Sequence, residues 1–240
     1  MNEAKLKTNL DTDFLKIVAI IAMTADHVGS VFFPEYPAFR WVGRIAFPLF
    51  CYCMTVGMLY THDIKKYFLR LGVFALVSQP FWILAFNADA VLENLPNLNI
   101  FFTLLVSLLG AWGVKEKKWW LLIVSLVLLN VINFDYAMTG LILMLIFYLS
   151  RNKPWIGALV YTLSYLPALM GSMEDPLALK LGGHAVGFEI FALAALPLIY
   201  GHTHLQIRIS KWFFYVYYPA HLFALFLLQL LNEGAHSGID

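Results

Sequence analysis

The chain has 240 residues, of which 61% are apolar and only 13% charged, and its net charge is +1. This composition is typical of a polytopic membrane protein and leaves no room for a soluble domain between the apolar segments. It also excludes nucleic-acid binding as an expectation, because no basic stretch is present to neutralise phosphates.

Apolar stretches separated by short polar, proline-bearing or glycine-bearing breaks predict nine membrane-spanning helices. A helix crosses a hydrocarbon core of about 30 Å with about 20 residues. Several of the stretches are shorter than this, and the break at 133–136 is the weakest boundary. The sequence therefore predicts an all-α transmembrane bundle in one domain, residues 1–240. The predicted spans are 14–33, 40–60, 67–86, 98–114, 119–133, 135–150, 154–170, 185–200 and 212–231.

The distribution of lysine and arginine predicts the orientation of the chain. Cytoplasmic connections of membrane proteins carry an excess of these residues. Only Arg40, Arg44 and Lys180 fall on one side of the predicted topology, so we expect a multi-pass protein of the cell membrane with a cytoplasmic amino terminus. The other thirteen of the sixteen basic residues precede the first span or lie at every second connection: Lys5, Lys7, Lys16, Lys65, Lys66, Arg70, Lys115, Lys117, Lys118, Arg151, Lys153, Arg208 and Lys211.

The first predicted span carries ionisable residues inside an apolar run. It reads DFLKIVAIIAMTADHVGSVFF and contains Lys16, Asp26 and His27. A charge at the centre of a membrane helix costs roughly 2.5 to 3.5 kcal/mol on insertion scales, so it needs a partner, a cavity or a function. Eleven positions bring a helix back to within about 20° of the same direction, about 16 Å farther along. Lys16 and His27 therefore share one face, which suits a long anionic ligand.

His27 is the first candidate for a catalytic residue. Imidazole titrates near neutral pH, so it can take a proton from an amine or hydroxyl nucleophile. The alternative is a core histidine that makes hydrogen bonds between helices. Asp26 points about 100° away from His27 and does not form a regular dyad with it.

Asp26 and Arg44 lie at matching depths in the first two predicted spans, which predicts an ion pair between them. A paired aspartate and arginine are far cheaper in a bilayer than either residue alone. The pair is either a helix staple or part of a site in which Arg44 binds an acyl oxygen or a carboxylate. The stretch 43–48, GRIAFP, predicts a close helix approach followed by a bend.

Other polar residues in the predicted spans form a second group of candidates. Gln79, Asn99 and Glu189 fall in outer halves, where they either line an acceptor pocket or make hydrogen bonds between helices. His221 and the neighbouring Tyr218 lie nearer the middle of the last span. Cys51 and Cys53 point to roughly opposite sides of one helix, so we expect packing residues and no metal cofactor.

Four motifs resemble the TraX family of membrane proteins, in matching order over nearly the whole chain. They are LK at 15–16 with DHVG at 26–29, GRIAFPLF at 43–50, LNIFFT at 98–103 and YPAHL at 218–222. The TraX family is associated with conjugation, in which it acetylates the amino terminus of pilin. It is similar to integral-membrane acyltransferases of the acyltransferase-3 type, whose first helix carries Asp, two residues, Arg, ten residues and His.

Asp13, Lys16 and His27 stand in that spacing, with lysine in place of arginine. The resemblance implies that His27 is catalytic and that Lys16 binds the acyl donor, although lysine lacks the bidentate fork of arginine. We therefore expect an acetyl-CoA-dependent acyltransferase that modifies an amine, or less readily a hydroxyl, at the outer side. Its acceptor is a peptide, a small molecule or a polymer. Arg44 or Asn99 is expected to stabilise the oxyanion.

Two alternatives from other classes remain open. In the first, the chain is a transporter or flippase that uses Asp26, His27 and Arg44 as a proton relay. In the second, it is a pilus-assembly or scaffold protein whose polar pairs only hold helices together.

Overall fold

The computed structural model describes residues 8–205 and 207–237, and most of them are helical. The chain forms two compact units, and each unit is assembled from two separate stretches of sequence. Unit 1 comprises Met1–Tyr60 and Thr139–Arg208, and unit 2 comprises Thr61–Met138 and Ile209–Asp240. The predicted division into one domain, residues 1–240, stays a prediction.

Unit 1 contains six α-helices, two short 3-10 helices and one β-hairpin within its described residues. The α-helices are α1 Thr12–Phe32, α2 Ala38–Gly43, α3 Ala46–Tyr60, α8 Thr139–Leu149, α9 Pro154–Ser164 and α10 Leu196–Tyr200. The 3-10 helices are Leu166–Met170 and Phe188–Ala195, and the strands are β1 Leu179–Leu181 and β2 His184–Val186.

Helix α3 is the centre of unit 1. It packs against both α1 and α8, and 11 of its 15 residues are buried. A helix that is apolar on all sides is stable only when other elements surround it. Cys51 and Cys53 are both buried and not in a disulfide, which confirms the prediction that they are packing residues.

Unit 2 contains the remaining α-helices, which are α4 Ile64–Asn87, α5 Val91–Asn94, α6 Ile100–Lys115, α7 Trp119–Val131 and α11 Lys211–Ser237. Asp63 caps α4 by accepting a hydrogen bond from the Lys66 N–H, which also lowers the pKa of its carboxyl group. Aromatic contacts join α4 to α11, with Phe74 stacked on Tyr215 at a centroid distance of 5.2 Å.

Four helical stretches of the described chain are long and apolar enough to cross a membrane: Thr12–Phe32, Ala38–Tyr60, Ile64–Asn94 and Lys211–Asn232. Five shorter apolar helical stretches correspond to the other predicted spans: Ile100–Lys115, Trp119–Val131, Thr139–Leu149, Pro154–Met170 and Phe188–Tyr200. The expectation of a helical, membrane-type protein is confirmed, and the predicted break at 133–136 is not helical. The nine crossings and the orientation stay predictions.

One β-hairpin corrects the expectation that all regular structure is helical. Residues 185–186, predicted to begin the eighth span, belong to strand β2, and the helical part begins at Phe188. Gly182 and Gly183 form the turn with φ values of 54° and 84°. Two successive positive φ angles suit a tight turn between antiparallel strands, and glycine adopts them without steric cost.

Candidate functional site

Asp26 lies between two arginines at the contact between α1 and α2. Its Oδ1 accepts a hydrogen bond from Arg44 Nη2 at 2.9 Å, and its Oδ2 accepts one from Arg40 Nη1 at 2.8 Å. The side chains of Asp26 and Arg44 are each only 10% exposed. The predicted pair of Asp26 and Arg44 is confirmed, and Arg40 is an additional partner.

Two glycines allow α1 and α2 to approach closely enough for these ion pairs. A Cβ atom at Gly43 would collide with the Asp26 side chain, and a Cβ at Gly29 would collide with Phe39. Helix α2 ends at Gly43 and α3 begins at Ala46. The predicted close approach and bend in 43–48 are therefore confirmed, and Arg44 lies at the bend.

We expect Gly43→Ala to destabilise the protein, because the added methyl group must displace the buried Asp26 carboxylate. Overpacking of a closely packed contact costs about 1–3 kcal/mol. Gly72→Ala is the matched control, since the nearest atom to a Cβ there is Leu105 Cδ2 at 3.8 Å. The measurement is thermal unfolding in detergent. Equal unfolding temperatures for the two variants would contradict this packing.

Asp26, Arg40 and Arg44 are called the arginine cluster below. The 3-10 helix Phe188–Ala195 contacts this cluster. The Arg44 guanidinium lies 4.8 Å from the centroid of the Phe188 ring. The Trp41 ring stacks on Phe191 at 4.7 Å. A guanidinium over an aromatic ring is held by a cation–π attraction, and this fixes the position of Arg44.

Tyr165 and Glu189 also belong to this region of unit 1. The Tyr165 side chain lies within electrostatic range of both Arg44 and Glu189. Glu189 is exposed, and its Oε2 lies 2.7 Å from where a Cβ of Gly187 would be. Glu189 is a predicted site residue, whereas Arg40, Tyr165 and Phe188 are not. The available signal for Arg40 was its position four residues before Arg44, on the same helix face.

Lys16 and His27 lie on one stripe of α1, which we call the α1 stripe and define by Lys16, Ile20, Met23 and His27. These residues are spaced by four, three and four positions, so they share one face. Ile20 and Met23 are buried, and Lys16 and His27 are partly exposed. The face that joins Lys16 to His27 is therefore turned towards protein. Lys16 also pairs with Asp13 at 2.9 Å.

Gln79 and Asn99 form a hydrogen-bonded clasp between α4 and α6 in unit 2. Asn99 is fully buried, and its amide nitrogen donates to Ala75 O at 2.9 Å and to Gln79 Oε1 at 2.8 Å. The Asn99 side chain also caps α6 by accepting from the Phe101 N–H. Both amide donors of Asn99 are used in this clasp, so we retain Arg44 alone for the oxyanion role.

His221 and Tyr218 are buried in unit 2, on helix α11. The His221 ring stacks on Tyr217 at 5.3 Å, and its Nδ1 lies 3.1 Å from the Tyr217 carbonyl oxygen. Of the predicted site residues, Lys16, Asp26, His27, Arg44 and Glu189 thus belong to unit 1. Gln79, Asn99, Tyr218 and His221 belong to unit 2. No group of three or more His, Cys, Asp or Glu residues that could hold a metal occurs within the described parts of the chain.

Comparison with known proteins identifies the family. A family model described as "TraX protein" matches residues 11–229. The chain belongs to the TraX family. The matched range contains all the candidate residues of both units. No solved structure matches this TraX-family chain.

Two known proteins are similar in sequence to this TraX-family chain. The first, from Dichelobacter nodosus, is "Probable fimbrial assembly protein FimC, serogroup H1"; it is 29% identical over 223 residues, which cover 87% of this chain and 91% of that protein. The second is "Uncharacterized protein RP591" of Rickettsia prowazekii (strain Madrid E), which is 51% identical over 49 residues, 20% of this chain and 19% of that protein.

Proposed function

We propose that this TraX-family chain is an integral plasma-membrane acyltransferase, related to the acyltransferase-3 type, that transfers an acetyl group from acetyl-CoA to an amine at the outer side. The observation that carries the proposal is the protein-facing α1 stripe, which has a cation near one end and an imidazole eleven residues along. Asp26, adjacent to His27, fixes this part of α1 to α2 through Arg40 and Arg44.

The proposed reaction uses three side chains of unit 1. Lys16 attracts the phosphates of acetyl-CoA as a point charge, and the pantetheine arm extends along the α1 stripe. His27 removes a proton from the neutral acceptor amine as the amine nitrogen attacks the thioester carbonyl carbon. Arg44 stabilises the oxyanion. The C–S bond then breaks, an amide forms, and the departing CoA sulfur takes up the proton from His27.

The name of the Dichelobacter nodosus relative suggests the kind of acceptor. That protein is called a probable fimbrial assembly protein. We propose that the acceptor here is the amino terminus of a pilus or fimbrial subunit, in keeping with the conjugal role that the family resemblance implies. Glu189 is exposed and directly follows Phe188, the residue that contacts Arg44, and it provides a carboxylate to attract the cationic amino terminus before that amino terminus loses its proton.

The same name favours a second candidate function, which is an assembly protein without chemistry. Purified protein in proteoliposomes with labelled acetyl-CoA separates the two functions. Acyl transfer predicts a labelled amide on an external amine, whereas an assembly role predicts that no amine is labelled. A transporter would move its substrate across the vesicle membrane in the absence of acetyl-CoA, and this flux can be measured with the same vesicles.

Replacement of Lys16 tests the donor site directly. We expect Lys16→Met to raise the KM for acetyl-CoA about tenfold, which corresponds to about 1.4 kcal/mol of lost charge-assisted binding. With S-acetyl-N-acetylcysteamine, a thioester donor without phosphates, the variant should match the wild type.

Lys66→Met is the matched control for Lys16→Met, because Lys66 pairs with Asp63 at 3.3 Å in the same Asp-x-x-Lys arrangement. The control should keep the wild-type KM for acetyl-CoA. A higher KM for both donors in the Lys16 variant would mean that Lys16 does not recognise phosphate.

A further inference from the structure

The hairpin of β1 and β2 is attached firmly to the elements of the candidate site. Gly171 N donates to Ala185 O at 3.1 Å, Gly187 N donates to Ala168 O at 2.6 Å, and His184 Nε2 lies 2.8 Å from Leu169 O. The residues just before β1 are attached to α2 as well, because Trp41 Nε1 donates to Leu177 O at 2.7 Å. The hairpin therefore has a fixed position on the framework that carries Arg40 and Arg44.

One edge of the hairpin is covered and the other is open. Leu181 pairs with His184 on either side of a two-residue turn, so these residues exchange both of their main-chain hydrogen bonds. The next pair is Lys180 with Ala185, whose main-chain groups then point outward. On the outer edge of β2, the Ala185 carbonyl oxygen accepts a hydrogen bond from the Gly171 N–H. Lys180 is exposed, and its main chain forms no such outward bond with residues 8–205 or 207–237.

We propose that the outer edge of β1 binds an extended segment of the acceptor polypeptide as a third strand. This inference rests on the proposed function, which it deepens by assigning the docking element of the acceptor. An outward N–H and C=O on one residue of a strand are complementary to another extended main chain. A polypeptide is therefore the ligand that this edge fits, with affinity that depends little on its side chains.

The position of the hairpin relates this edge to the acyl-transfer residues. Strand β2 ends at Val186. Phe188, two residues later, has the Arg44 guanidinium over the face of its ring. Glu189 follows immediately and is exposed. A chain that pairs with β1 is thus held by the same segment that forms one side of the arginine cluster. In the predicted topology Lys180, Arg40 and Arg44 all lie on the outer side, where the acceptor arrives.

Lys180→Pro is the test variant and Lys180→Ala is its control. Proline removes the outward N–H and puts a ring at the edge, but it leaves the bonds of β1 to β2 intact because Lys180 does not donate to β2. Alanine removes the charge and keeps the N–H. The probe is a labelled twelve-residue peptide of alternating Val and Thr with a free amino terminus. Its binding is measured by fluorescence anisotropy, and its acetylation is compared with that of glycinamide.

We expect wild type and Lys180→Ala to bind the peptide equally, and Lys180→Pro to bind it about tenfold more weakly, since one or two hydrogen bonds are lost. A peptide N-methylated at alternate residues should bind wild type as weakly as the unmodified peptide binds Lys180→Pro. Acetylation of glycinamide should be the same in all three proteins.

Equal peptide binding by the proline and alanine variants, or no peptide binding by wild type, would overturn the docking proposal and leave the acetylation of glycinamide unaffected. Conversely, a loss of binding specific to Lys180→Pro, without acetylation of either probe by wild type, would support docking and overturn the proposed enzyme. The failures of the two proposals are thus distinguishable.

Discussion

Replacing His27 with alanine is expected to reduce acetyl transfer by about 10²- to 10⁴-fold, the usual contribution of a general base. The acceptor amine must lose a proton as it attacks the thioester, and alanine cannot accept one. His27 is partly exposed on the α1 stripe, so the fold should tolerate its loss. The measurement is the transfer rate from labelled acetyl-CoA in detergent, together with the unfolding temperature.

His221→Ala is the matched control, because it also removes an imidazole from a membrane helix. His221 is buried and stacked on Tyr217, so this change should lower the unfolding temperature more than His27→Ala does. The remaining folded fraction should keep its specific activity. If activity disappears with His221 and survives loss of His27, the reaction belongs to unit 2 and the proposed mechanism is wrong.

The sequence allowed the central ion pair to be predicted because membrane depth constrains it strongly. A charged Asp26 or Arg44 without a partner would be costly in a bilayer. The two residues lie at similar depths in the first two predicted spans, so each is the expected partner of the other. Arg40 supports only the predicted topology, although its spacing of four from Arg44 places it on the same helix face. Gly43 allows a second feature to be predicted correctly, which is the close approach of α1 and α2.

Two parts of the structure could not be read from the sequence. Strands of three residues are too short to show an alternating pattern, and the available signal for the hairpin is the Gly182–Gly183 dipeptide, on which no prediction is based. Burial inside a membrane protein is also a tertiary property. The sequence favours hydrogen bonds between helices over a pocket for Gln79 and Asn99, but only the positions of α4 and α6 show that the Asn99 amide donors bond to α4.

The second large effect should come from Asp26. We expect Asp26→Ala to lower the free energy of unfolding by about 3–5 kcal/mol, because it removes the carboxylate that pairs with both Arg40 and Arg44 in a poorly hydrated site. Asp13→Ala is the control. It breaks the more exposed pair with Lys16, and exposed pairs contribute only about 0–1 kcal/mol. Equilibrium unfolding in mixed detergent measures both variants.

A triple variant separates the structural role of this cluster from its chemical role. Asp26→Leu combined with Arg40→Met and Arg44→Met replaces all three charges by apolar groups, which often restores the stability lost when one partner of a buried ion pair is removed. We expect its unfolding free energy to return to within about 2 kcal/mol of wild type, while acetyl transfer stays low because no guanidinium stabilises the oxyanion. Full activity in the stable triple variant would show that the cluster only holds α1 against α2. Low activity despite restored stability would assign the charges of this cluster, and not only its packing, to the reaction, as the proposed oxyanion role of Arg44 requires.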